Sequence, residues 1–114
     1  LSDGLANIAS LKKRHIPNLA IPSYDTFVFE ICDEDKREEV KNILISSGIG
    51  TKNLPDAIRW HCSYYWDYFL EDANNKYAKE TLQKLSKNIA IPIVLKKDIL
   101  EYKSILKEIL NVFV

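Results

Sequence analysis

The chain has 114 residues, 46% of them hydrophobic and 28% charged, which suits one globular domain and excludes an intrinsically disordered segment. Its 16 Lys and Arg balance its 16 Asp and Glu, so no net field draws in nucleic acid or an anionic membrane. The longest apolar stretch, Ile89–Leu95, is too short to span a bilayer, and Leu1–Ser10 lacks the basic start and apolar core of a secretory signal.

In chain order, Leu1–Arg14 is expected to be a helix, because Leu1, Leu5, Ile8 and Leu11 recur near one face. The basic run Lys12-Lys13-Arg14-His15 then falls where that helix ends, and cations there complement the helix dipole. Pro17 and Pro22 break regular structure, so residues 1–22 read as a linking helix and loop. Thr26–Cys32 alternates, with Phe27, Phe29 and Ile31 on one side, and reads as a half-buried strand. Asp35–Ser47 reads as a helix with Asp35 and Glu38 as a capping box, Val40, Ile43 and Leu44 as its buried stripe, and Gly48 as its C-terminal cap.

Ile49–Asn53 is expected to be a short strand, stopped by Pro55. The stretch from Asp56 to Leu70 carries Trp60, Tyr64, Tyr65, Trp66, Tyr68 and Phe69. Parts of it suit a helix capped by Asn53 or Asp56, but no single period governs it. Asn75–Lys87 reads as a helix with Ala78, Leu82 and Leu85 inward. Ile89–Leu95 reads as a strand in which Pro92, lacking an N–H, requires an edge or a bulge. Asp98–Val112 reads as the closing helix, opened by the capping box Asp98 and Glu101, with Ile99, Tyr102, Leu106, Ile109 and Phe113 as its apolar stripe. The order predicts a single α+β domain over residues 1–114, a two-layer sandwich with a small mixed or antiparallel sheet of about three strands under helices.

Little chemistry announces itself. Phosphate-loop, dinucleotide-binding, nucleophile-elbow and zinc-protease signatures are all missing. Gly48-Ile49-Gly50-Thr51 follows a helix, whereas a phosphate cradle opens one, so a helix cap is the better reading. Cys32 and Cys62 match no zinc or redox spacing and point to a reduced, cytoplasmic setting. His61-Cys62 are sequence neighbours, a placement that rarely lets a base face a nucleophile. The aromatic segment is the most unusual stretch. Base stacking would need a frame of Lys and Arg, and Arg59 is the nearby cation while Asp67, Glu71 and Asp72 follow. A sugar-stacking or protein-contact surface and ordinary core packing both remain open.

The run GIGTKNLPDAIRWHCSYYWDYF, together with TFVFEI, EEVKNILISSGIGT, YAKETLQKLS, IAIPIVL and the closing helix, resembles the C-terminal region of the DegT/DnrJ/EryC1/StrS sugar aminotransferases from Tyr24 onward. That resemblance implies the small C-terminal domain of a fold-type-I enzyme dependent on pyridoxal phosphate. The parent would act on a keto-sugar, either nucleotide-linked or a sugar acid, and would be a homodimer. The cofactor and its Schiff-base lysine would lie in a large domain, so no catalytic, cofactor-binding or metal-binding residue is carried over. The sequence departs from the family where Asn53–Arg59 intervenes before Trp60-His61 and no second His follows. The resemblance implies Asn53, Trp60, His61 and Trp66 as pocket-facing residues. A chain without methionine that begins at Leu1 is accordingly expected to be a piece of a longer protein. The competing expectation is an autonomous binding or interaction module that uses residues 60–69.

Overall fold

The computed structural model describes residues 8, 11–13, 15–21, 23, 25–52 and 54–114. Its centre is a three-stranded antiparallel sheet in the order β1 (Leu11–Lys13), β2 (Thr26–Ile31), β3 (Asn88–Pro92). Four helices accompany it among the described residues: α1 (Glu34–Ser46), α2 (Ile58–His61), α3 (Lys76–Leu85) and α4 (Ile99–Asn111). The architecture is the α+β arrangement that the sequence predicts. No helix among the described residues is long and apolar enough to cross a membrane.

The alternation in β2 sets the layers. Phe27 pairs with Ile91, Phe29 with Ile89, and Leu11 with Ile31. Directly opposed residues of antiparallel strands share a face, so these apolar pairs form one side of the sheet. Against that side α1 contributes Val40 and Leu44, and α4 contributes Ile105 and Ile109. Each fully buried aliphatic side chain of this kind stabilises the fold by about 1.5–3 kcal/mol.

The punctuation around the helices explains their bounds. Asp33 caps α1 by accepting the Lys36 N–H at 3.1 Å. The expected Asp35–Glu38 box is therefore displaced: Asp35 lies within the first turn, where a carboxylate favours the positive end of the dipole, and Glu38 pairs with Lys41 instead. At the other end Gly48 adopts φ of 75°. The Gly48 N–H then reaches the Ile45 carbonyl at 2.9 Å, and the Ile49 N–H reaches that of Leu44 at 3.1 Å. These are the paired bonds of a Schellman cap. Asn75 caps α3 through the Ala78 N–H. The capping box of α4 is present as expected, with Asp98 accepting the Glu101 N–H and Glu101 accepting that of Asp98, both at 2.9 Å.

Several expectations change. The predicted first helix does not extend over Leu11–Lys13, which forms β1; pairing with β2 overrides the local periodicity there. Most of the rest of Leu1–Arg14 lies outside the described residues, and the helix-end reading of the basic run loses its basis. Ile49–Lys52 is not a strand. Its neighbourhood makes only an irregular contact with β3, where the Lys52 N–H donates to the Ala90 carbonyl at 2.9 Å and the Ala90 N–H donates to that of Leu54 at 3.0 Å. β3 stops at Pro92, the residue that cannot extend a ladder, rather than running to Leu95 as expected, and it lies at the sheet edge, one of the two places Pro92 allows. In α4 the stripe rotates: Ile99 is exposed and Ile105 is buried in its place.

Tyr102 joins the end of β3 to α4. Its hydroxyl accepts the Val94 N–H and donates to the Pro92 carbonyl, each at 2.8 Å. Asp25 accepts from Lys52 Nζ at 2.7 Å and so ties the approach to β2 to the loop beyond Thr51.

Candidate functional site

The stretch between the cap of α1 and the start of α3 has no helical or strand period, and it folds as a chain of short turns. α2 is a single helical turn, followed by a 3-10 turn at Ser63–Tyr65. The two are closed on each other by the Trp66 indole, whose Nε1–H donates to the Trp60 carbonyl at 3.1 Å. The Phe69 and Leu70 N–H groups both return to the Trp66 carbonyl, at 2.9 and 2.7 Å. α3 packs against the 3-10 turn. Cys62, Ala73 and Ala78 are the buried side chains of this region, and they lie outside the main core cluster. Small residues at these points let the turns approach α3 closely while the large rings are left to the surface.

Those rings line a cavity of about 700 Å³ formed by Arg59, Trp60, Tyr64, Tyr65, Trp66, Asp67, Tyr68 and Asn74. The volume falls in the range of small-molecule sites, roughly 300–1,000 Å³. Tyr64 and Tyr65 meet edge to face at 5.4 Å between centroids. The Arg59 guanidinium lies over the Tyr65 ring at 5.5 Å, a cation–π arrangement. Trp60, Tyr68 and Phe69 are 79%, 84% and 74% exposed. Apolar faces of this size left in water mark a contact surface more often than they mark a defect.

Two of the four residues assigned to a pocket by the resemblance meet here, Trp60 and Trp66. His61 is exposed but does not line the cavity. It falls on the same short helix as Trp60, and consecutive helical positions point about 100° apart. Asn53 lies outside the described residues. Asp56, the other cap considered for this stretch, does not cap α2, whose N-cap position is Ala57. Arg59 and the tyrosines stood beside the predicted residues in the aromatic run. Asn74 has no signal of its own, since it reaches the cavity only because α3 folds back on the 3-10 turn.

Other chemistry can be placed just as directly. Cys62 is 2% exposed beside exposed His61, so the adjacent pair offers no accessible nucleophile. Both cysteines are free. Among the described residues no group of three or more His, Cys, Asp or Glu side chains is placed to hold a metal ion. Arg59, Asp67 and Asn74 give the cavity planar hydrogen-bonding groups of both polarities beside stacking rings. That set can bind a polyhydroxylated ring: the aromatic faces meet its C–H surface while the polar groups meet its hydroxyls. No protein-family model matches the chain, and no curated protein matches it.

Proposed function

We propose that this chain is the C-terminal small domain of a pyridoxal-phosphate-dependent aminotransferase that acts on a keto-sugar, and that it supplies one wall of the sugar pocket. The resemblance from Tyr24 onward motivates the reading, and the aromatic groove carries it. Trp60, Tyr64, Tyr65, Trp66 and Tyr68 line the groove together with Arg59, Asp67 and Asn74, aromatic and polar groups of the kinds that bind a sugar ring.

The chain's own residues do not fit the cofactor. A Schiff-base amine needs a desolvated pocket that lowers its pKa, and among the lysines whose side chains the structure describes none is buried. Pyridoxal phosphate would therefore be held by another part of the parent, which would also supply the amino-transfer chemistry. The part of this chain is to bind and orient the sugar and to keep water from its ring face.

The test is expression of the complete parent reading frame. The expected protein shows the visible absorbance of bound pyridoxal phosphate. Trp60→Ala and Trp66→Ala should raise KM for the sugar about tenfold, the loss of one ring-stacking contact of roughly 1–2 kcal/mol, with that absorbance unchanged. A parent without a cofactor domain would refute the reading.

An autonomous binding module is the second reading. It is favoured by one observation, that the described lining residues of the groove all fall within one short stretch of the chain, 59–74. It requires sugar binding by the chain with no cofactor present.

A further inference from the structure

We infer that the groove takes a sugar acid, with Arg59 pairing with the ligand's carboxylate, rather than a nucleotide-linked sugar. This rests on the sugar reading above and narrows it by charge. Arg59 is the only cation among the described residues that line the cavity. It makes no ion pair with any described residue, the four salt bridges being Lys41–Glu38, Lys52–Asp25, Lys76–Glu80 and Lys97–Glu101. Its guanidinium lies over the Tyr65 ring at 5.5 Å, a weak contact at an exposed site. A planar cation with free N–H edges is the group that grips a carboxylate through two parallel hydrogen bonds.

The groove's other charge fits the same ligand. Asp67 also lines the cavity. It is not spent on Arg59: its Oδ1 accepts the Tyr68 N–H at 3.0 Å. Its other oxygen is left to accept from sugar hydroxyls, as the Asn74 amide can also do. One cation and one anion suit a ring with a single carboxylate. A nucleoside diphosphate brings at least two negative charges, and such groups are met by clusters of Arg and Lys or by a helix N-terminus. No such cluster lines this groove: Arg59 is the one cation among its described lining residues, and Glu71 and Asp72 follow it in sequence.

The test is a titration of the complete parent protein, followed through the Trp60 and Trp66 indole N–H resonances. The probes are glucuronate, galacturonate and mannuronate, their parent hexoses, UDP-glucose and acetate. At least one uronate is expected to bind about tenfold more tightly than its hexose, the ratio that one charge-assisted bidentate contact supplies at an exposed site. Arg59→Gln should remove that ratio and leave hexose binding within about twofold; because Arg59 is exposed, the variant should keep the fold. Equal binding of uronate and hexose would overturn the inference and leave the sugar reading standing. So would tighter binding of UDP-glucose, the same response to acetate as to uronate, or an Arg59→Gln variant that keeps the preference. If no sugar of either kind moves the indole resonances, the sugar reading fails and takes the inference with it.

Discussion

Replacing Tyr102 by Phe isolates what one hydroxyl contributes to this fold. The ring stays and only the oxygen leaves. That oxygen accepts the Val94 N–H and donates to the Pro92 carbonyl, both at 2.8 Å. The two backbone groups flank Ile93, just where the ladder of β3 ends, and without the hydroxyl neither keeps that partner. A net hydrogen bond is worth roughly 0.5–1.5 kcal/mol. Tyr102 is only half-buried, so water can replace part of the loss, and Phe regains a little by being more apolar. The expected cost is about 1–2 kcal/mol. With a urea m-value of roughly 1–3 kcal/mol/M for a small domain, the unfolding midpoint should fall by about 0.5–1 M with m unchanged. Urea titration followed by circular dichroism measures both quantities. A midpoint equal to that of the wild type would refute the reasoning, since it would mean that the pairing of β3 to α4 holds without the hydroxyl. A changed m would refute it differently, by showing that the variant alters the extent of folded structure.

Three further outcomes follow from the same geometry. Leu44→Ala empties a fully buried position between the sheet and α4 and should cost about 2–5 kcal/mol, read as a large drop in the same urea midpoint. Gly48→Ala should cost roughly 1–2 kcal/mol; nothing lies within 4 Å of the added methyl group, so the whole loss is the strain of φ at 75° and Gly48→Asn should recover part of it. The Asp98 N–H and then Lys97 hold the Glu101 carboxyl below its ordinary range, and Lys52 does the same for Asp25. Because the folded form holds each proton less tightly, this stability is present at neutral pH and is lost as pH falls below the ordinary carboxylate range into the acid region. Glu101→Gln should therefore flatten the acid limb of a stability-against-pH curve, and an unchanged limb would show that the pairing is absent in solution.

Much of the scaffold was legible because local signals and tertiary needs agree there. The alternation of Phe27, Phe29 and Ile31 is the buried face of β2, and Val40 and Leu44 are the stripe that covers it. Pro92 pointed to an edge or a bulge, and the edge is what forms; the strand's end at Pro92 was not legible, since the apolar run continues to Leu95. β1 was not legible, since Leu11–Lys13 is a strand only through its partners Phe29–Ile31 and its own spacing mimics a helix. The α1 cap moved from Asp35 to Asp33 because several acidic residues crowd the start, and backbone geometry decides among them. The groove was legible as a segment and not as a geometry. A run of rings without a period says that something unusual is present, whereas the side each ring faces depends on turns closed by contacts such as Trp66 to the Trp60 carbonyl.

The separation of core from groove has a consequence for function. The sheet, α1 and α4 form one apolar cluster, and none of the groove's rings belongs to it. Trp60, Tyr68 and Phe69 lie largely in water, so their burial contributes little to folding. Substituting exposed residues of this kind typically changes stability by no more than about 0.5 kcal/mol. Trp66 is the exception within the group, since its indole closes α2 onto the 3-10 turn, and Trp66→Ala should loosen the groove as well as shorten its stacking surface. Trp60→Ala and Arg59→Gln are therefore the sharper variants. They leave the scaffold and the turn closure in place, so a change in ligand binding that they cause must come from the groove itself.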